Sequence, residues 1–200
     1  MPTLTRKEKE TKLAQIAQRV AAGEVCRELF ENCTNPVPGE GDPEAEIMFV
    51  GEAPGAQEDR EGRPFVGASG KFLAEMLETI GLTRDKVFIT NIVKYRPPEN
   101  RDPRQDEIQA CLPYLLDQIE VINPKLVIFL GRHSMNVFFP ELKISQAHGV
   151  PVRRAYKHGA RQRTQVFLPL YHPAAALYNG SMRETLMADF SKIPKIIQKI

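Results

Sequence analysis

Three side chains in this sequence carry groups that can hold, orient and protonate a polar ligand: Glu52, Asn91 and His172. Each stands just past the end of a short, unbroken apolar run: Ile47–Val50, Val87–Thr90 and Val166–Leu170. A fourth run, Leu126–Leu130, ends in Gly131-Arg132-His133. The stretch after the first run is the densest in chemistry. It reads Gly51-Glu52-Ala53-Pro54-Gly55, then Glu58-Asp59, Gly62-Arg63-Pro64-Phe65-Val66-Gly67 and Ser69-Gly70. Connections from strand to helix usually take about 2–6 residues, and this one runs to about twenty. A loop of that length, rich in acids and glycines, reads as a ligand site rather than a spacer.

The elements that must position these residues follow from periodicity. Four short apolar runs suit strands buried on both faces. Between them lie helical patterns. Thr5 and Glu8 form a capping box before Leu13, Ile16, Ala17, Val20 and Ala21. Lys71–Ile80 carries Phe72, Leu73, Met76, Leu77 and Ile80 on one face, and Asp102-Pro103 opens a helix with Ile108, Leu112, Leu115, Leu116 and Ile119. Shorter helices are expected over Arg132–Phe139, Pro173–Leu177 and Met182 onward. Val152-Arg153 reads as a short edge strand leading into a basic loop. Strands alternating with helices give an α/β fold with a central parallel sheet covered on both faces. All four strand ends then share one rim, where ligands bind in such sheets.

The 200 residues are expected to form one domain, 1–200, with an N-terminal helical region over 1–34. No apolar run has membrane-spanning length and the N-terminus lacks a signal-peptide core, so the expectation is a cytoplasmic protein without a membrane partner. Net charge is only +2, but its distribution is uneven. Leu142 to Arg183 contains no Asp or Glu, whereas Lys143, Arg153, Arg154, Lys157, Arg161, Arg163 and Arg183 are basic. Such a segment suits phosphates, or is simply a solvated loop. The glycine-rich stretch is neither a P-loop nor GxGxxG, which argues against a nucleotide-binding enzyme.

GEAPG-AQED, GRPFVG, TNIVK-x-RPP-x-NRDP and HPAAAL, in that order, resemble the family-4 uracil-DNA glycosylases. The resemblance runs from about Asn35 to Asp189. It implies an αβα sandwich with a central four-stranded parallel sheet. It also implies a DNA repair enzyme that flips uracil out of DNA and hydrolyses its N-glycosidic bond, leaving an abasic site. On this resemblance Phe65 is the stacking platform for the flipped base. Asn91 would accept from uracil N3–H and donate to O4, a pattern that cytosine reverses. His172 would donate to O2 as charge develops there. Glu52 would position water or the loop, and Glu58 would close the pocket against a thymine methyl. Gly51 and Ala53 would line the uracil site, and Pro54-Gly55 would let backbone approach it. The His172–Leu177 segment, with Ala174 and Leu177, would enter the DNA, Leu177 or Tyr178 filling the gap. Arg153, Arg154 and Arg161 would hold phosphates. The expected partner is uracil-containing DNA, bound by a monomer.

The sequence departs from the family in one respect. Its members usually hold a [4Fe–4S] cluster on four cysteines. Here Tyr95 stands at the third position, Cys111 fits the fourth, and Cys26 and Cys33 are separated by six residues. With three cysteines, the expectation is that no cluster is bound or required, and Cys26, Cys33 and Cys111 are metal ligands only if one is. Tyr95–Pro103 contains no His, so a covalent adduct with DNA is not expected. The competing reading is a catalytically silent nucleic-acid-binding module of the same fold, for example beside a polymerase.

Overall fold

A computed structural model describes residues 4–200. Its strands are β1 (Glu40–Gly41), β2 (Ile47–Gly51), β3 (Phe88–Asn91), β4 (Leu126–Leu130), β5 (Val152–His158) and β6 (Arg161–Leu170). They form one sheet in the order β1-β3-β2-β4-β6-β5. The central four, β3-β2-β4-β6, are parallel, as the sequence implies. The sheet is wider than four strands because each edge carries an antiparallel addition, β1 on β3 and β5 on β6.

Alternate residues of each central strand feed two different cores. Met48 and Val50 face α1 (Arg6–Ala21) and α5 (Gln105–Ile122), meeting Ile16, Val20, Tyr114 and Leu115. Ile47 and Phe49 face α4 (Ala68–Thr79) and α8 (Gly180–Phe190), meeting Phe72, Leu73, Met76 and Phe190. Burial on both sides is why these strands are continuous apolar runs. The Thr5–Glu8 capping box starts α1 as expected. A short α2 (Arg27–Asn32) follows it.

Two regions differ from the sequence reading. The long loop after β2 contains a short helix, α3 (Ala56–Glu61), which brings Glu58 beneath the loop's second half. The basic segment is not a loop. It is a hairpin in which Val152 to His158 pair with Phe167 to Arg161, turning at Gly159 with φ 57°. Val152 and Tyr156 pack against the α5-side core, so alternate residues anchor the strand. Arg161 and Arg163 are matched by Glu120 on α5, and Arg154 by Glu141. The rest is helical: α6 (Arg132–Phe138), α7 (Ile144–Ala147), α9 (Ile193–Lys199) and 3₁₀ turns over Arg84–Lys86, Pro98–Asn100 and Pro173–Ala176. No helix among the described residues is long and apolar enough to cross a membrane.

Candidate active site

The carboxyl ends of β2, β3 and β6 open into a cavity of about 390 Å³. Glu52, Ala53, Pro54, Gly55, Glu58 and Phe65 form one wall. Asn91, Asn100, Arg101 and Asp102 form the second, with His172 and Ala174 on the third. Glu52, Asn91 and His172, far apart in sequence, thus share one space, with Gly51 at its base.

Gly51 pairs with Asn91 across the two central strands. A Cβ at Gly51 would lie 2.3 Å from Asn91 Oδ1 and 2.6 Å from the Phe65 ring. The glycine therefore lets the amide and the ring approach each other at the cavity floor. Phe65 adopts φ 51°, a left-handed conformation uncommon outside glycine. Arg84 holds it there, donating to the carbonyls of Pro64 and Phe65 at 2.7 Å each. Gly70 makes room, since a Cβ there would stand 1.8 Å from the Phe65 carbonyl oxygen. The turn aims the ring into the cavity, 5.7 Å from the His172 ring at an interplanar angle of 29°.

His172 caps the 3₁₀ turn after β6. Its Nδ1 accepts from the main-chain N–H of Ala174 at 3.1 Å. The neutral ring must then carry its proton on Nε2. Burial lowers its pKa to about 4, so the ring is neutral at pH 7. The site therefore holds an uncharged imidazole with one free N–H donor.

Glu52 has the opposite shift. Burial, reinforced by Asp102, raises its pKa to about 7, against a smaller opposing effect of Arg132. His133 Nδ1 lies 3.9 Å from its carboxylate, and His133 Nε2 lies 3.3 Å from Asp102. Glu52, Asp102 and His133 place one potential ligand atom each within 4.8 Å of one another. Glu58 is engaged with backbone. Its Oε1 accepts from the amides of Val66 and Gly67 at 3.0 and 2.9 Å, which fastens the Phe65 loop to α3.

Sequence reasoning gave no role in the site to four supporting residues. Arg84 is one. Asp102 and Arg132 shape the field at Glu52, the first raising its pKa and the second lowering it. Lys94, fully buried, donates to the Asn91 carbonyl at 2.7 Å, to Thr90 Oγ1 at 2.6 Å and to Gln118 Oε1 at 2.8 Å. Its pKa is pushed down to about 7 by burial. A lone lysine within the apolar stretch after β3 was the available signal.

The basic residues are not brought to the cavity. Arg161 opens β6, about 30 Å along the strand from its carboxyl end. It donates to Glu120 at 2.7 Å, an oxygen Arg163 shares. Arg154 pairs with Glu141 and lies 4.8 Å over the Phe139 ring. Arg153 is exposed on the outer strand, opposite Val166. A larger cavity of about 670 Å³ lies between α1, α5 and the hairpin, and there Arg19, Arg161 and Arg163 face Asp117 and Glu120. In the 172–177 segment Ala174 is exposed at the cavity mouth, Leu177 is partly packed on the core, and Tyr178 is 95% exposed.

The cysteines form no four-thiolate set. Cys26 and Cys111 are in contact, their sulfurs 3.4 Å apart, and Cys33 donates to the Phe30 carbonyl at 3.2 Å. Tyr95 is fully buried beside them, its hydroxyl donating to the Val20 carbonyl at 3.0 Å. Two touching sulfurs with a packed phenol alongside do not fit a cubane cluster, which needs separated thiolates around it.

A family model described as the uracil DNA glycosylase superfamily matches residues 38–193. The chain is 51% identical over 186 residues to a type-4 uracil-DNA glycosylase of Sulfurisphaera tokodaii, covering 92% of this chain and 84% of that one. It is 43% identical over 192 residues to a type-4 uracil-DNA glycosylase of Archaeoglobus fulgidus, covering 94% of each. A DNA polymerase of Bacillus phage SP01 is 30% identical over 171 residues, covering 85% of this chain and 18% of the polymerase.

Proposed function

The chain belongs to the uracil-DNA glycosylase superfamily, and from that premise we propose how its residues excise uracil from DNA. The enzyme hydrolyses the N-glycosyl bond of deoxyuridine and leaves an abasic site. The observation that carries the reading is the convergence of a neutral His172 donor, the Asn91 amide and the Phe65 ring in one cavity.

The target base must leave the stack, at a cost of a few kcal/mol. Stacking on Phe65 returns about 1–3 kcal/mol. Asn91 accepts from N3–H and donates to O4, with Lys94 holding its main chain in place. Cytosine would face two mismatched polar groups and be rejected. As the glycosidic bond breaks, its electron pair passes to the base and negative charge grows on O2. The Nε2–H of His172 donates to that oxygen. A neutral donor suits this task, because it is fixed before the charge develops. Ionised Glu52 faces the cationic sugar and orients the water that attacks the anomeric carbon. The proton that this water loses as the abasic hydroxyl forms neutralises the uracil anion, so the products are uracil and the abasic sugar.

Tyr178, 95% exposed and just past the turn that carries His172 and Ala174, is the side chain that fills the gap left by the base. Glu58 acts by holding the Phe65 loop. We further propose that the protein works as a monomeric single domain in the cytoplasm and needs no iron–sulfur cluster for catalysis.

Single-turnover release of base from uracil-containing single- and double-stranded oligonucleotides tests the reading. Release from uracil but not cytosine is expected. Binding to both without release would favour the silent module instead.

A further inference from the structure

We propose that Cys26 and Cys111 are a disulfide-forming pair that staples the N-terminal helical region to α5. The pairing is independent of the glycosylase reading. Their sulfurs are already in contact at 3.4 Å, across 85 residues of sequence. A disulfide bond is about 2.05 Å long, so closing it needs about 1.4 Å of approach, within reach of side-chain rotation. Cys26 stands just before α2 with φ 52°, a turn that directs its side chain at α5. It is partly exposed, whereas Cys111 is fully buried on α5. Cys33 is turned away, bonded to the Phe30 carbonyl, so the pair has a defined partner choice. Tyr95, its hydroxyl bonded to the Val20 carbonyl, closes the space beside them and leaves the two sulfurs facing each other.

The exposure difference sets the order of steps with a low-molecular-weight disulfide such as glutathione disulfide. The Cys26 thiolate attacks one sulfur of the reagent, forming a mixed disulfide and releasing one glutathione thiolate. The Cys111 thiolate then attacks the Cys26 sulfur, forming the protein disulfide and releasing the second. The two protons lost by the cysteines end on the two glutathione thiols. The product closes a loop of 85 residues from α2 to α5. It thereby ties α2 to the helix that follows the Asn100–Asp102 cavity wall.

The test incubates the full chain with glutathione disulfide and compares it with the reduced protein. Intact mass should fall by two hydrogens, a peptide map should join Cys26 to Cys111, and one thiol should remain titratable in denaturant. Thermal midpoint should rise by about 5–15 °C, the range a loop of this length supports. Cys33→Ser should behave as the parent. Cys26→Ser and Cys111→Ser should each abolish the cross-link, and Cys26, being partly exposed, tolerates Ser without disturbing the core. Three titratable thiols after oxidation, a join between Cys26 and Cys33, or stoichiometric iron and sulfide in anaerobically purified protein would each overturn the proposal.

Discussion

The main-chain N–H of Ala174 donates to Nδ1 of His172 across 3.1 Å, which leaves Nε2–H as the ring's only donor. One backbone bond in a single 3₁₀ turn thus sets both the tautomer and the aim of the imidazole. Burial keeps the ring uncharged down to a pKa of about 4.

If that donor acts only as charge develops, its loss should slow chemistry and spare binding. His172→Ala should lower single-turnover uracil release by about 10²–10³. Affinity for a non-cleavable uracil analogue in DNA should change little. A variant that melts lower but retains full rate per folded molecule would assign His172 a structural role instead.

Gly51→Ala should nearly abolish release while the protein still folds. The added methyl meets Asn91 Oδ1 at 2.3 Å and the Phe65 ring at 2.6 Å, so both must shift. Misplacement of about 1 Å can cost 10²-fold. Retention of more than a tenth of the rate would show that the cavity floor is more compliant than this packing implies.

Asn91→Asp should weaken uracil release, since a carboxylate cannot donate to O4. A trace of cytosine release should appear, because Asp accepts from the cytosine amino group. Competition between uracil- and cytosine-containing oligonucleotides measures the exchange. Unchanged uracil release would remove Asn91 from base recognition.

Glu52 should govern the pH dependence. Its folded pKa of about 7 lies above the ordinary 4.5, so it is protonated in acid and ionised above neutrality. The single-turnover rate should rise with pH up to about 7 and level off, and Glu52→Gln should be slow and flat. Linkage runs the other way for stability. Between 4.5 and about 7 the folded state binds more protons than the unfolded, so Glu52's contribution is lost as pH rises through that window. Urea midpoints from pH 5 to 7 should therefore fall for the parent relative to Glu52→Gln. Parallel midpoints would contradict the shift.

Neutralising Arg153, Arg154 and Arg161 together should leave the salt dependence of DNA binding close to the parent's. Arg161 and Arg154 are committed to Glu120 and Glu141, and Arg161 lies at the far end of β6. Each phosphate contact would otherwise contribute about one unit to the log–log slope. A fall of two or more units would return the DNA track to the hairpin.

The parallel sheet and the meeting of three candidate residues at one rim were legible in the sequence. Strands buried on both faces must be continuous apolar runs, and parallel strands put their carboxyl ends on one rim. Glu52, Asn91 and His172 therefore converge by topology alone. The motifs around them carried the family, and the uracil chemistry came with it. What the sequence could not decide depends on partners distant along the chain. The basic segment folds as a hairpin because Val152 and Tyr156 reach the core and Glu120 and Glu141 supply its counter-charges. Phe65 faces the cavity because Arg84 and Gly70 sustain its left-handed backbone. Lys94 supports Asn91 through three buried acceptors, and Cys26 meets Cys111 across 85 residues. Residue type announces a capacity, but tautomer, protonation and pairing are set by neighbours that only the folded chain brings within a few ångströms.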